Sequence, residues 1–219
     1  MENKSSFIRK EIWPLLILAA GLAVAVCAYP VLPERVPIHW GLNGQANGYG
    51  SRFFGSYGVA FMNVGLYILF LVLPVIDPRR ANYAGFKDTY KFIRYLIHIF
   101  ILGMQVMGII TALGYPVNIG LLVKLFIALL FLLMGNVMGR FKHNYFVGIK
   151  TPWTLASEEV WTKTHRMAAP IWVAGGIVSI ANAFIGGRAG SVILIGVLIV
   201  MVFVPCVYSY IEYGKLGKR

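Results

Sequence analysis

Long apolar runs alternate with short polar segments along the whole chain. Six of these runs approach or exceed the length of about 20 apolar residues that an α-helix needs to cross a bilayer. They occupy residues 12–31, 53–76, 92–112, 117–138, 168–185 and 192–210. The pattern predicts an all-α integral membrane protein with six transmembrane helices. We divide it into an N-terminal membrane half, residues 1–113, and a C-terminal membrane half, residues 114–219, with three helices each.

Charge adds an orientation to this picture. Only 13% of the 219 residues are charged, against about 25% in soluble domains, yet the net charge is +12. Sixteen of the 20 Lys and Arg residues lie in the termini and in the connections on the same side of the membrane, and three lie in the opposite connections. The positive-inside rule therefore predicts that both termini and the loop 139–167 are cytoplasmic, whereas the loop 30–52 is extracellular. The basic residues set topology, and direct nucleic-acid binding is not predicted.

The extracellular loop cannot form a regular helix because it contains three prolines and four glycines. Asn43-Gly44 and Asn47-Gly48 are turn signals, and the segment 36–40 is predicted to be a short extended piece. One interpretation is a rigid linker whose aromatic residues lie at the lipid headgroups. The other is a ligand-contacting loop, for which the candidate residues are Pro37, His39 and Trp40.

Lys124 lies inside the fourth apolar run, where a charge is costly. Its long side chain could extend to the outer surface, or it could line an outward-facing polar cavity and join the extracellular binding residues. Gly135 and Gly139, four residues apart in the same run, predict close approach of another helix. The polar residues Asn63, His98 and Gln105 are predicted to form hydrogen bonds between helices.

The cytoplasmic loop is the most polar and aromatic insert in the chain. Gly148 and Pro152 predict an irregular first part, from 144 to 153. Thr154 and Ser157 are candidate N-caps, and the carboxylates that follow Ser157 favour a helix that begins there and leads into the fifth span. Helical spacing puts four residues on one face of that helix: Trp161, Thr164, His165 and Ala168.

This loop has two interpretations. It could be an interfacial helix with Trp153 and Trp161 at the headgroups, or a docking surface for a cytoplasmic partner. The candidate binding residues of the second interpretation are Asn144, Tyr145, Gly148, Lys150, Thr151, Pro152, Trp153, Thr154, Trp161 and His165. The preceding connection, 77–91, is predicted to be a topological anchor.

Signatures of catalysis are weak. His143, His165 and two nearby glutamates could in principle meet a metal, but zinc-site spacing such as His-Glu-x-x-His is missing from the sequence. The eight acidic residues lie near termini, in loops or at the ends of the predicted helices. We therefore predict no enzyme activity, no metal and no cofactor. The alternative is a membrane enzyme or small-solute transporter with a polar site between helices near Lys124, Asn136 and the cytoplasmic loop.

Several motifs resemble the SdpI family of bacterial membrane immunity proteins. They are Gly135-Asn-Val-Met, Asn144-Tyr-Phe-Val-Gly-Ile-Lys-Thr-Pro-Trp-Thr-Leu, Glu159-Val-Trp and Thr164-His-Arg. The outer loop, with Leu32-Pro-Glu-Arg-Val-Pro-Ile-His-Trp, resembles the domain of unknown function that often precedes the family region.

The resemblance implies a six-span bacterial cell-membrane protein that protects against a secreted peptide toxin. The partners it implies are the lipid bilayer, the toxin and, as in the founding system, a cytoplasmic transcriptional repressor that is sequestered at the membrane. The resemblance also implies that the outer residues meet the toxin and that the inner loop meets the repressor.

Overall fold

A computed structural model describes residues 4–41, 45–185 and 187–217 and consists mainly of helices. The seven α-helices of these described residues are α1 (Lys4–Ala28), α2 (Val59–Ile76), α3 (Lys87–Ala112), α4 (Ile119–Met138), α5 (Pro152–Ala156), α6 (Glu158–Ala183) and α7 (Gly187–Leu216). A π-helix (Phe54–Gly58) precedes α2, and a 3-10 helix (Arg80–Phe86) precedes α3. Two strands, β1 (Arg35–Trp40) and β2 (Ala46–Ser51), form a hairpin after α1.

Within the described residues, five helical stretches are long and apolar enough to cross a membrane, which confirms a mainly α-helical membrane protein. They are Glu11–Ala28, Phe54–Ile76, Arg80–Ala112, Ile119–Met138 and Ala189–Leu216. The predicted fifth span, 168–185, lies within α6 apart from its last two residues and is not among the five. Four charged residues occupy the first turns of α6, and Ser179 and Asn182 lie near its end, so its hydropathy is lower.

The chain forms two compact units. The first comprises Met1–Leu71 and Ile93–Val123, and the second comprises Val72–Phe92 and Lys124–Arg219. The connection between the second and third apolar runs thus packs with the C-terminal part of the chain. The predicted division into an N-terminal membrane half, 1–113, and a C-terminal membrane half, 114–219, stays a prediction.

The hairpin of the first unit confirms the extended piece predicted at 36–40. β1 and β2 are antiparallel, with Val36 opposite Gly50, and the register shifts next to His39. Asn47-Gly48 lies within β2 and is not a turn, because its backbone pairs with β1. The predicted turn at Asn43-Gly44 lies outside the described residues.

Val36 anchors the hairpin in an apolar cluster. It is 1% exposed and belongs to a cluster with Ala28, Leu32 and Ile109. A methyl group at Gly55 would come within 2.4 Å of the Val36 side chain. Because Gly55 has no Cβ atom, the Val36 side chain can occupy this space, and the hairpin can lie directly against the π-helix.

Buried polar side chains join the helices of the first unit, as predicted. His98 Nδ1 and Asn63 Oδ1 are 2.7 Å apart, and the Gln105 amide donates to the Gly21 carbonyl at 2.9 Å. Arg94 and Glu11 form an ion pair of 2.5 Å with both side chains about nine-tenths buried. These contacts let α3 present polar groups to its neighbours rather than to lipid.

Glycines allow close helix packing in the second unit. A Cβ atom at Gly135 of α4 would lie 2.7 Å from the Val173 backbone nitrogen of α6. One at Gly176 of α6 would lie 2.7 Å from the Leu132 nitrogen of α4. The close approach predicted for Gly135 is therefore confirmed, whereas Gly139 has only looser contacts, 3.9 Å from Arg166.

Candidate functional site

The loop between α4 and α6, residues 139–157, is held by its own side chains; we call it the connecting loop. Asn144 is fully buried and organises the first part of this loop. Its Oδ1 accepts hydrogen bonds from the Phe146 and Val147 amides at 2.8 and 2.7 Å, and its amide donates to the Lys142 and Val147 carbonyls. One buried side chain thus forms hydrogen bonds with four backbone groups of a turn that has no regular secondary structure.

The second part of the connecting loop is a short capped helix. Thr151 is the N-cap of α5, with Pro152 at the first helical position. Thr151 and Thr154 form a reciprocal capping box, and the Thr151 hydroxyl also lies 3.0 Å from the Ser209 hydroxyl of α7. The prediction of Thr154 as an N-cap is wrong, because the proline after Thr151 starts the helix three residues earlier. The cap predicted at Ser157 is confirmed for α6.

The predicted face of α6 points inward. Its members, Trp161, Thr164, His165 and Ala168, are all completely buried. Trp161 stacks on His165 with ring centroids 4.1 Å apart, and its indole N–H donates to the Phe141 carbonyl at 2.9 Å. Trp161 therefore cannot lie at the headgroups, so the interfacial interpretation is wrong for this residue.

His165 is fixed as a neutral imidazole by its partners. Its Nε2 accepts the Ile149 amide hydrogen at 2.9 Å, so its Nδ1 carries the proton that is donated to the Trp161 carbonyl at 2.8 Å. Burial lowers the pKa of His165 to about 4. Gly148, with φ of +127°, lies next to this ring, and a Cβ atom there would come 2.4 Å from Nε2.

A second group of buried polar residues ties the connecting loop to the segment after α2. Asp77 is 2% exposed and accepts hydrogen bonds from the Arg79 amide at 2.7 Å, the Tyr145 amide at 3.0 Å and the Tyr83 hydroxyl at 3.1 Å. Two of these donors are local, and Tyr145 is 68 residues away. The Asp77 carboxylate therefore holds the backbone of the connecting loop at Tyr145, although Asp77 lies in a different part of the chain.

Arg79 makes three contacts with the connecting loop. Its guanidinium lies 4.8 Å from the centre of the Tyr145 ring, donates to the Leu155 carbonyl at 3.0 Å and meets Nε2 of His143. Because a guanidinium only donates, His143 accepts and stays neutral. Burial, and then the Arg79 charge, lower the pKa of His143. Asn82 adds a hydrogen bond to the His143 carbonyl at 2.7 Å.

Sequence reasoning missed Asp77, Arg79, Asn82 and Tyr83 as parts of this site, since the segment 77–91 was interpreted as a topological anchor. A carboxylate directly after an apolar run, followed by Pro-Arg-Arg, was the available signal. It gave no indication of the long-range partners at 143, 145 and 155. Ser209, near the end of the last apolar run, was also missed, because its partner Thr151 is 58 residues away.

The ten candidate residues of the connecting loop and α6 divide by exposure. Asn144, Thr151, Thr154, Trp161 and His165 are buried and Gly148 is half-buried, so these six support the loop. Tyr145, Lys150 and Pro152 are exposed. Trp153 is half-buried, with its ring 5.1 Å from that of Tyr210. We call these four residues the outer face of the loop; that it contacts a partner stays a prediction.

Metal binding does not fit the two histidines of this site. Both nitrogens of His165 and the Nε2 of His143 are occupied by protein partners. Across residues 4–41, 45–185 and 187–217, no cluster of three His, Cys, Asp or Glu residues could hold a metal ion.

The four candidate residues of the extracellular side occupy two places. Pro37, His39 and Trp40 lie on β1, where His39 is exposed and its Nδ1 lies 2.5 Å from Asn47 Oδ1. Lys124 is half-buried in α4 and belongs to the second unit. For the hairpin, the rigid linker and the ligand-contacting loop both stay predictions. For Lys124, extension to the outer surface and a place in a polar cavity both stay predictions.

Acidification is expected to destabilise the protein through His165. Its folded-state pKa of about 4 lies below the ordinary 6.5, so the unfolded state binds a proton first as the pH falls. Stability from this residue is expected to be complete above pH 6.5, to fall between pH 6.5 and 4, and to level off below, by about 3 kcal/mol in all. Thermal unfolding in detergent at each pH measures this.

The matched control for acidification is His165→Gln, which leaves the other titrating groups in place. The variant is expected to be less stable at pH 7 but to lose less stability between pH 6.5 and 4 than the wild type. Equal losses in the two proteins would show that another group controls the acid response.

Most of this site, but not its residues 77–83, lies in a region that matches a protein-family model. Residues 140–209 match the model of the SdpI/YfhL protein family, and residues 16–64 match a domain of unknown function, DUF1648. The chain is 27% identical over 213 residues to the Immunity protein SdpI of Bacillus subtilis (strain 168), covering 97% of this chain and all of that protein. No solved structure gives a significant match. The resemblance found in the sequence is confirmed.

Proposed function

We propose that this chain, which carries the SdpI/YfhL family region at residues 140–209, protects a bacterial cell against a secreted peptide toxin. The observation that carries the proposal is the similarity to the Bacillus subtilis immunity protein, which extends over both units and is not confined to the family region. The chain is a multi-pass membrane protein with long apolar helices. This location suits protection against a toxin that acts at the membrane. The proposal requires no chemical step.

The connecting loop supports a binding role rather than a linking one. A linker needs only to join α4 to α6, but here buried side chains from three separate parts of the chain hold it: Asp77 and His165 bind its backbone amides, and Ser209 contacts the Thr151 hydroxyl. Such a loop presents its outer face in one conformation, which lowers the entropy lost on binding.

The proposal is tested in Bacillus subtilis cells that lack their own Immunity protein SdpI. These cells are exposed to the toxin that is secreted by bacteria that carry the immunity protein. Expression of this chain is expected to restore growth, and expression of the Gly148→Ala variant is expected not to. Equal killing with and without the well-accumulated wild-type chain would contradict the proposal for this toxin.

For topology, we propose six spans with both termini in the cytoplasm, α6 being the fifth. α6 has 26 residues and is therefore about 39 Å long, enough to cross a hydrocarbon core of about 30 Å. Its charged residues are confined to its first turns, and Lys163 pairs with Glu159 and with Glu212 of α7 at 2.9 Å. These pairs reduce the cost of placing charge near the membrane.

Cysteine labelling in intact cells tests the topology. In a chain with both native cysteines replaced by serine, Ala156→Cys and Gly217→Cys are expected to react only after permeabilisation. Tyr49→Cys on the exposed hairpin is the control and is expected to react from outside. Because α6 and α7 lie between positions 156 and 217, labelling of these two positions from opposite sides would show that only one of the helices crosses.

For partners, we propose that the hairpin residues Pro37, His39 and Trp40 meet the toxin and that the outer face of the loop meets a cytoplasmic repressor. The survival assay separates the two roles. Trp40→Ala is expected to lower survival. Trp153→Ala is expected to keep survival while weakening recovery of a tagged repressor with the membrane fraction. A Trp153→Ala variant that recruits as well as the wild type would contradict the inner role.

A further inference from the structure

A basic cavity in the second unit is not used by the proposed function. It has a volume of about 450 Å³ and lies where the first turn of α3 meets the end of α4 and the start of the connecting loop. Its lining includes the cations Lys87, Arg140, Lys142 and Arg166 and a single carboxylate, Asp88. All five side chains are exposed at the rim. The balance of charge favours an anion.

One of the cations packs closely on a glycine of the cavity wall. The Lys142 stem passes across Gly85, so that a Cβ atom there would lie 3.3 Å from Lys142 Cγ. Arg166 lies near Gly139 with a looser contact, its Cγ 3.9 Å from the position of a Cβ atom. The stem of Lys142 therefore follows a defined path along the cavity wall.

The cavity also has an apolar part. Phe86 and Phe141 both contribute to its lining, are each 4% exposed, and have ring centroids 6.5 Å apart. A cationic rim next to apolar rings suits an amphiphile better than a fully hydrated ion.

The position of the cavity indicates which amphiphile. The candidate span in α4 ends at Met138, and Gly139 and Arg140 line the cavity, so it lies where a span leaves the membrane. Phospholipid phosphates lie at this level, and basic pockets between membrane helices bind anionic headgroups. Arg and Lys match phosphate oxygens.

We propose that this cavity binds the phosphate headgroup of an anionic phospholipid. The site anchors the first turn of α3 and the start of the connecting loop to the membrane surface. It does not depend on the proposed immunity, since lipid binding can be measured without a toxin.

Native mass spectrometry of the full chain in detergent tests the lipid site. Dioleoylphosphatidylglycerol and dioleoylphosphatidylcholine are added in turn at equal concentration, and bound copies are counted. The wild type is expected to retain the anionic lipid preferentially. Lys142→Gln is expected to weaken this preference roughly fivefold, as a surface cation contributes about that factor to anionic-lipid binding.

Two matched variants separate a built site from general basicity. Arg80→Gln removes one exposed positive charge that lies outside the cavity lining, and it is expected to retain the lipid as the wild type does. Gly85→Ala removes no charge but displaces the Lys142 stem, and it is expected to weaken retention.

Three outcomes would overturn the proposal. One is equal retention of the two lipids by the wild type, and another is an equal loss in Arg80→Gln and Lys142→Gln. The third is displacement of the lipid by millimolar inorganic phosphate, which would show that the cavity takes the free ion.

Discussion

Gly148→Ala is expected to prevent accumulation of the folded protein. A Cβ atom at this position would lie 2.4 Å from His165 Nε2 and 3.0 Å from the Trp161 ring, and both rings are fully buried. The φ of +127° is also one that alanine rarely adopts. Overpacking and backbone strain together are expected to cost about 3 kcal/mol or more. Yield and thermal unfolding in detergent, followed by size-exclusion chromatography, measure the loss.

Gly114→Ala is the matched control for this substitution. Gly114 also has a positive φ, +82°, but a Cβ atom there would meet no other atom within 4 Å. It is therefore expected to cost only the backbone strain, about 1 to 2 kcal/mol. If both variants are destabilised equally, the contact with His165 and Trp161 is not the cause.

Trp161→Ala is expected to cost about 3 to 5 kcal/mol, the range for truncation of a large buried aromatic residue. The change removes the ring that stacks on His165 and leaves the Phe141 carbonyl without its indole donor. Trp161→Phe keeps most of the packing and loses only the donor, so it is expected to cost about 1 to 2 kcal/mol. The same unfolding measurement ranks the variants.

Trp153→Ala provides the contrast within the same segment. Trp153 is half-buried and contacts the ring of Tyr210. Its truncation is expected to lower stability much less than that of Trp161. Comparable losses for the two tryptophans would contradict the division of this segment into supporting residues and an outer face.

The sequence predicted the helices well because long apolar runs are a strong local signal. The N-cap at Ser157 and the common face of Trp161, Thr164, His165 and Ala168 also follow from residues within two turns of each other. Periodicity shows that such residues lie together, but it does not show whether lipid, water or protein covers them. The structure assigns this face to the protein interior.

The parts that escaped prediction depend on distant residues. Asp77 accepts a hydrogen bond from the Tyr145 amide, and Thr151 contacts Ser209. These partners are 68 and 58 residues apart, so no local sequence pattern indicates them. The true cap at Thr151 was recognisable in principle, since proline is favoured at the first helical position. Similarly, Asn47-Gly48 has the composition of a turn, but pairing with β1 overrides this preference.

The contacts of Asp77 and Arg79 also bear on how the chain is assembled. Both side chains leave the ribosome well before their partners at 143, 145 and 155, with all of α3 and α4 still to be made. During that interval the Asp77 carboxylate and the Arg79 guanidinium lie just after α2 without those long-range partners. They form these long-range contacts only after the connecting loop has been made, so packing at the end of α2 is completed late in synthesis. In a nascent chain arrested after α4, the Asp77 carboxylate would have only its local donors, and the Arg79 guanidinium would lack all three of its contacts with the connecting loop.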